Sequence, residues 1–114
     1  MEMKKEVVGN VLVLKLSGEM MGGDDLFPFQ SLVHQTIQDG IVNMVADLSD
    51  IKWMNSSGLG MLMAGLTTLR SSDGDLKLAC VSERVRRPIE ITRLDQVFEI
   101  FESIDEAIES FEGD

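Results

Sequence analysis

Near the middle of the chain, Ile41–Leu48 reads I-V-N-M-V-A-D-L, an almost continuously apolar run bounded by Gly40 and by Ser49-Asp50. A strand with one wet face alternates polar and apolar residues, whereas a strand covered on both faces does not. This run therefore predicts a central strand, and the remaining elements must supply its two covers.

The flanking sequence does so. Val11–Ser17 is a β-branched and leucine run, and Glu6–Val8 can pair with it through Gly9-Asn10 as a hairpin. Gly18 and Gly22-Gly23 interrupt that pattern. Asp24 or Asp25 can then cap a helix running to Gly40, with Leu26, Phe29, Leu32, Val33 and Ile37 at helical spacing and Pro28 in its first turn. A second helix is predicted from Ser56 or Ser57 to about Leu69, a strand over Leu76–Val81, and a third helix over Val85–Leu94 with a late start or kink at Pro88. Val97–Phe101 reads as a short edge strand, and Ser103 with Glu106 forms a capping box for a last helix to Phe111. Strands alternating with helices predict an α/β fold: a small, mainly parallel central sheet opened by an N-terminal antiparallel hairpin, with about four helices. At 114 residues this is one domain spanning 1–114.

In open sheets, function gathers where a strand's carboxyl end meets the next helix. Here that is Asp47–Gly60, D-L-S-D-I-K-W-M-N-S-S-G-L-G. Asn55, Ser56 and Ser57 stand at a helix start, where first-turn amides lack intrahelical partners and the helix dipole is positive. A phosphoryl group on either serine would be favoured by about 0.3–1 kcal/mol. Asn55 or Ser56 also suits a simple capping role. Gly58 and Gly60 remove side chains beside the hydroxyls, opening the backbone to another protein. Along the helix, Leu59, Leu62, Met63, Leu66 and Leu69 form one apolar face toward the sheet. Gly58, Met61, Ala64, Gly65 and Thr68 form an opposite face without charge. In a chain with 26% charged residues, that second face predicts a partner-covered surface with Met61 exposed, the alternative being a helix buried on both sides within the monomer.

The net charge of -10 disfavours nucleic acid and anionic membrane as partners. Glu2, Lys4, Lys5 and Glu6 replace any secretory apolar run, and the longest uncharged stretch, Trp53–Leu69, is too short and polar to span a bilayer. With Cys80 as the one cysteine, these features predict a cytoplasmic location without disulfides. A hydrolase would use Ser56 or Ser57 as nucleophile, but W-M-N-S-S-G lacks the G-x-S-x-G elbow and His34 is the lone histidine base. No catalytic residue, cofactor or metal site is predicted. Cys80 is expected in the Leu76–Val81 strand as a buried, inert thiol; His34 at the surface; Trp53 and Met54 in the core. The Arg84, Arg86, Arg87 and Arg93 cluster should be solvated beside Glu83 and Glu90, and the acidic tail Asp105–Asp114 should form an outer helix face.

With these residues in view, the chain resembles the STAS domains, the family of bacterial anti-anti-sigma factors. The resemblance covers nearly the whole sequence and rests on element order, on L-S-G-E at Leu16–Glu19, and on D-L-S-x-x-x-x-M-N-S-S-G-L-G at Asp47–Gly60. The family's switch motif usually reads D-S-S-G or D-S-T-G, with the first hydroxyl as phosphoacceptor. The resemblance thus implies Ser56 as phosphoacceptor, Ser57 as its alternative, and Asn55 in the place of the acid. Asn keeps a capping oxygen and removes a carboxylate, relieving repulsion toward a phosphate.

It also implies a partner-switching cycle. The unphosphorylated domain binds an anti-sigma factor that is also an ATP-dependent serine kinase of the histidine-kinase-like type, releasing a sigma factor. Phosphorylation at Ser56 breaks the complex, and a serine phosphatase restores it. Asp24 or Asp25 would contribute to the partner surface. A permanent scaffold role in a stressosome-like or lipid-transport assembly is the alternative, and self-association through an apolar helix face stays open.

Overall fold

The computed structural model describes residues 1–112; Gly113 and Asp114, which end the 1–114 span and the acidic tail, lie outside the described residues. Five strands form one sheet in sequential order: β1 (Glu2–Val8), β2 (Val11–Met20), β3 (Asn43–Met54), β4 (Asp75–Ala79) and β5 (Ile100–Phe101). β1 and β2 are antiparallel, in register from Glu2↔Ser17 to Val8↔Val11, and every later pair is parallel. The sheet is thus the mixed, hairpin-opened one that the alternation of elements implies.

Right-handed crossovers between sequential neighbours put the connecting helices on one face of such a sheet. There lie α1 (Leu26–Gln38), α2 (Ser56–Ser71) and α3 (Glu83–Ile91). Leu12, Leu14, Met44, Ala46, Leu76 and Leu78 pack against Phe29, Val33, Leu59, Leu62, Val85 and Ile89 in the main core. The alternate residues Val11, Val13, Val45 and Ala79 point the other way, onto Ala107 of α4 (Ile104–Glu112). β3 is therefore covered on both sides, as its apolar run requires. Each fully buried aliphatic side chain contributes about 1.5–3 kcal/mol.

Several boundaries differ from the sequence reading, each for a local reason. β2 does not stop at Gly18. That residue adopts φ 98° between two register shifts, and the strand continues to Met20. β3 begins at Asn43 and runs on to Met54, because Ser49–Met54, too polar to look like strand, still pair with the extended end of β2 (Glu19↔Trp53, Met20↔Met54). Out there the strand has lost β4 as a neighbour, so Trp53 is 48% exposed instead of joining the core, while Met54 is buried as expected.

α3 starts at Glu83, with no late start at Pro88, because the Ser82 hydroxyl accepts from the Val85 N–H at 3.4 Å. It ends at Ile91, and Arg93 turns left-handed at φ 62° ahead of a 3-10 turn, Leu94–Gln96. That turn shortens β5 to Ile100–Phe101 and sends Phe98 into the core. Half of the capping box expected at Ser103 forms: its hydroxyl accepts from the Glu106 N–H at 3.1 Å, while the Glu106 carboxylate does not reach back to the Ser103 N–H.

Candidate functional site

Asn55 occupies the N-cap of α2 with extended backbone (φ -111°, ψ -178°), and its Oδ1 accepts from the Gly58 N–H at 2.8 Å. The carbonyl of Asn55 accepts from the Leu59 N–H at 3.0 Å, so the first turn is closed by this one residue. Ser56 and Ser57 follow, both exposed, and among the described residues neither hydroxyl has a hydrogen-bond partner. The capping work falls to the asparagine, leaving both hydroxyls available.

Beneath the serines the end of β2 forms a close support. The Asn55 N–H donates to the Met20 carbonyl at 3.3 Å, and Gly58 is packed so tightly on Met20 that any Cβ there would collide with the Met20 carbonyl. Gly22, left-handed at φ 76°, lies under Ser57: a Cβ built on it would stand 2.8 Å from the Ser57 Cβ. No comparable neighbour is set by Gly22 against Ser56. These contacts bring the Met20–Asp25 loop to the Asn55–Gly58 segment, and with it Asp24, exposed, and Asp25, half-buried, in a 3-10 turn over Gly23–Asp25.

Two expectations about this region are corrected. Neither Asp24 nor Asp25 caps α1 with its side chain; Asp25 is at the N-cap but has helical backbone (φ -81°, ψ -17°), which turns its carboxylate away from the first-turn amides. The face of α2 expected to await a partner is largely covered within the chain, by Met20 of β2 at Gly58 and by α1 at Gly65 and Thr68. Met61 is 1% exposed, and Gly58 and Gly65 are buried. Gly65 is where the Phe29 ring lies closest: an added Cβ would be 2.7 Å from its Cε2. Ala64 and Thr68 are half-buried, and the Gln30 amide donates to the Thr68 hydroxyl at 3.4 Å. What α2 shows to solvent is a narrower strip with Ser56, Ser57, Gly60 and Thr67.

Elsewhere, Cys80 sits just past β4 in left-handed backbone (φ 59°), half-buried, and not within the strand. Burial pushes its thiol pKa up, the nearby Asp47 carboxylate adds to the rise, and the Ile104 N–H opposes it. Asp47 itself is buried, with Oδ1 accepting from the Ser49 N–H at 3.0 Å. His34 is exposed, as expected. Among the described residues, no group of three or more His, Cys, Asp or Glu is arranged to hold a metal, and no helix is long and apolar enough to cross a membrane.

The sequence model of the STAS domain matches residues 2–107, nearly the entire chain. This chain is a member of the STAS domain family. Among its relatives, the anti-sigma-B factor antagonist of Staphylococcus aureus is 34% identical over 65 residues, 57% of this chain and 60% of that one. The crystal structure of a candidate anti-sigma factor antagonist from Thermotoga maritima superposes with a TM-score of 0.85 at 27% identity, covering 95% of this chain and 92% of that one. The anti-sigma factor antagonist SpoIIAA in its unphosphorylated form shares the fold, with a TM-score of 0.84 at 20% identity over 99% and 98% of the two chains. SpoIIAA is also described in a phosphorylated form.

Within the STAS fold, the sequence reading singled out Asn55–Gly58 but not what lies beneath those residues. Met20 and Gly22 act as the floor of the serines, and the only sign of this in the sequence was the Gly22-Gly23 pair, which reads equally well as an ordinary turn.

Proposed function

We propose that this STAS domain is an anti-sigma factor antagonist whose unphosphorylated form binds an anti-sigma factor and whose phosphorylation at Ser56 releases it. The partner would carry the ATP-dependent serine kinase activity, and a serine phosphatase would reset the cycle. In this cycle the domain is ligand and substrate, and the catalyst is its partner. The observation that carries the reading is the pair of exposed, unengaged hydroxyls on the first turn of α2, which Asn55 already caps.

Of the two, Ser56 is the better acceptor in this reading, because the Cβ and main chain of Ser57 pack over Gly22 whereas Ser56 has no such contact with that glycine. A phosphate here adds roughly 1.5–2 negative charges, little against a chain at -10, so its effect must arise by repulsion and desolvation within the contact. Asn55, Ser56, Ser57, Asp24 and Asp25 form the contact in this reading. Ala64 and Thr68 extend it along α2, and the buried Gly58, Met61 and Gly65 hold the helix in place beneath it.

The test is incubation with the partner kinase and ATP, followed by mapping of the modified residue by mass spectrometry. One phosphoryl group on Ser56 is expected, with Ser56→Ala still binding the kinase unmodified. Modification confined to Ser57 would overturn the assignment, and no modification at all would favour a permanent scaffold.

A further inference from the structure

β3 loses β4 as a neighbour after Asp47 but runs on beside β2 to Met54. Side chains alternate across a strand, and Met20 and Met54, paired at the tip of this two-stranded extension, are buried in the main core. Trp53, next to Met54, therefore points to the opposite side of the sheet. The apolar cluster on that side, under α4, is built on Val11, Val13, Val45 and Ala79. Val45 is eight residues back along β3, about 26 Å away at strand spacing. Trp53 is thus left half-exposed with nothing of the chain over it, and its indole N–H has no acceptor among the described residues.

Its position relative to α2 is close. Four of the seven large hydrophobic side chains that stay exposed among the described residues, Met21, Leu26, Phe27 and Trp53, lie at the end of β3 or between the end of β2 and the first turn of α1. Met21 follows Met20, whose carbonyl holds the Asn55 N–H, and Trp53 precedes Asn55 by two residues. Met21 and Trp53 therefore flank the strand ends from which Asn55, Ser56 and Ser57 rise. Three residues separate Trp53 from Ser56, which limits their Cα separation to about 11 Å.

We infer that Trp53, with Met21 beside the same strand end, is the apolar anchor by which the chain seats on its anti-sigma factor partner. Trp53 takes this role only if Asn55–Ser57 is the partner site proposed above. Distance selects the occupant. A standard contact covers ~800 Å² on each partner, a patch roughly 30 Å across, so a protein centred on Ser56 also covers a side chain rooted within about 11 Å of it. Tryptophan is among the side chains that dominate such contacts when water is shut out around them. The partner's surface here is accordingly an apolar pocket with an acceptor for the indole N–H. A phosphoryl group on Ser56 would have to shed its hydration inside this same dry contact, which is how one modification acts strongly on a chain already at -10.

Trp53 is the one tryptophan of the chain, so incorporation of 5-fluorotryptophan gives a single fluorine NMR line from this position. On titration with the anti-sigma factor kinase used in the phosphorylation test, that line should move in step with complex formation followed by calorimetry. In the chain phosphorylated at Ser56 it should stay at its free position at the same partner concentration. Trp53→Ala should weaken binding at least tenfold, and Trp53→Phe, which keeps a ring, should weaken it less. Val7→Ala, at an exposed apolar position beside the hairpin turn at the opposite end of β2, should bind like wild type. An unmoved line with binding intact, undiminished affinity of Trp53→Ala, or an equal loss in Val7→Ala would overturn the anchor and leave the Ser56 reading standing. Failure of the unmodified chain to bind would overturn both.

Discussion

Asn55 Oδ1 and the Gly58 N–H are joined by a 2.8 Å hydrogen bond that closes the first turn of α2 directly beneath the two candidate phosphoacceptors. Asn55→Ala removes this cap and should lower unfolding stability by about 0.5–2 kcal/mol in urea titrations. Asn55→Asp should hold stability at or above the wild-type value, since a carboxylate accepts the same bond and suits the positive helix end. A large loss for Asn55→Asp would show that the amide makes a second essential contact.

Two glycines in the same turn should respond in opposite directions to one substitution. Gly58→Ala drives a methyl into the Met20 main chain, and overpacking of this kind costs roughly 1–3 kcal/mol. Gly60→Ala projects into open space and should stabilise the helix by up to about 1 kcal/mol. Paired denaturation curves check both signs.

Much of the architecture can be read from the chain because local pattern and burial coincide there. The apolar Ile41–Leu48 run locates the central strand, and Gly9-Asn10 locates the hairpin. The misses share a cause: neighbours supplied from distant sequence. Ser49–Met54 is polar enough to resemble a loop and is strand only because β2 runs on beside it. Periodicity separates the faces of α2 but does not reveal how many are covered, so Met61 reads as exposed although it is 1% exposed in the main core. The position of the serines at the helix start was legible in the sequence; the glycine and carbonyl beneath them were not, because that contact is visible only after folding.

Lys77 is a further example, a cation that the sequence places in a strand but does not show to be buried. It is 2% exposed on β4, with Nζ donating to the Ser110 hydroxyl at 2.7 Å and lying 4.1 Å from the Phe111 ring centroid under α4. Lys77→Ala removes both the stem that fills this space and the cation on the aromatic face, and should cost about 2–5 kcal/mol. Lys77→Met retains the stem and should cost clearly less. Equal losses in the two variants would assign the whole effect to charge.

Cys80 provides the pH-dependent prediction. Burial, reinforced by Asp47, raises its pKa in the folded chain, so folding favours the neutral thiol. Below the unfolded thiol pKa both states are protonated and nothing is lost. As pH rises through that value the unfolded chain ionises first, and stability falls until the folded pKa is passed. The pH profile of iodoacetamide alkylation should therefore have a higher midpoint in the native protein than in urea. Coincident midpoints would contradict the rise that burial and Asp47 produce.

The account's central claim concerns what one phosphate does at the head of α2, and calorimetric titration of the anti-sigma factor partner tests it most directly. Unmodified chain and Ser56→Ala should bind with similar affinity. The chain phosphorylated at Ser56 should bind roughly a hundred- to a thousandfold more weakly. Equal affinity of the phosphorylated and unmodified chains would contradict the account.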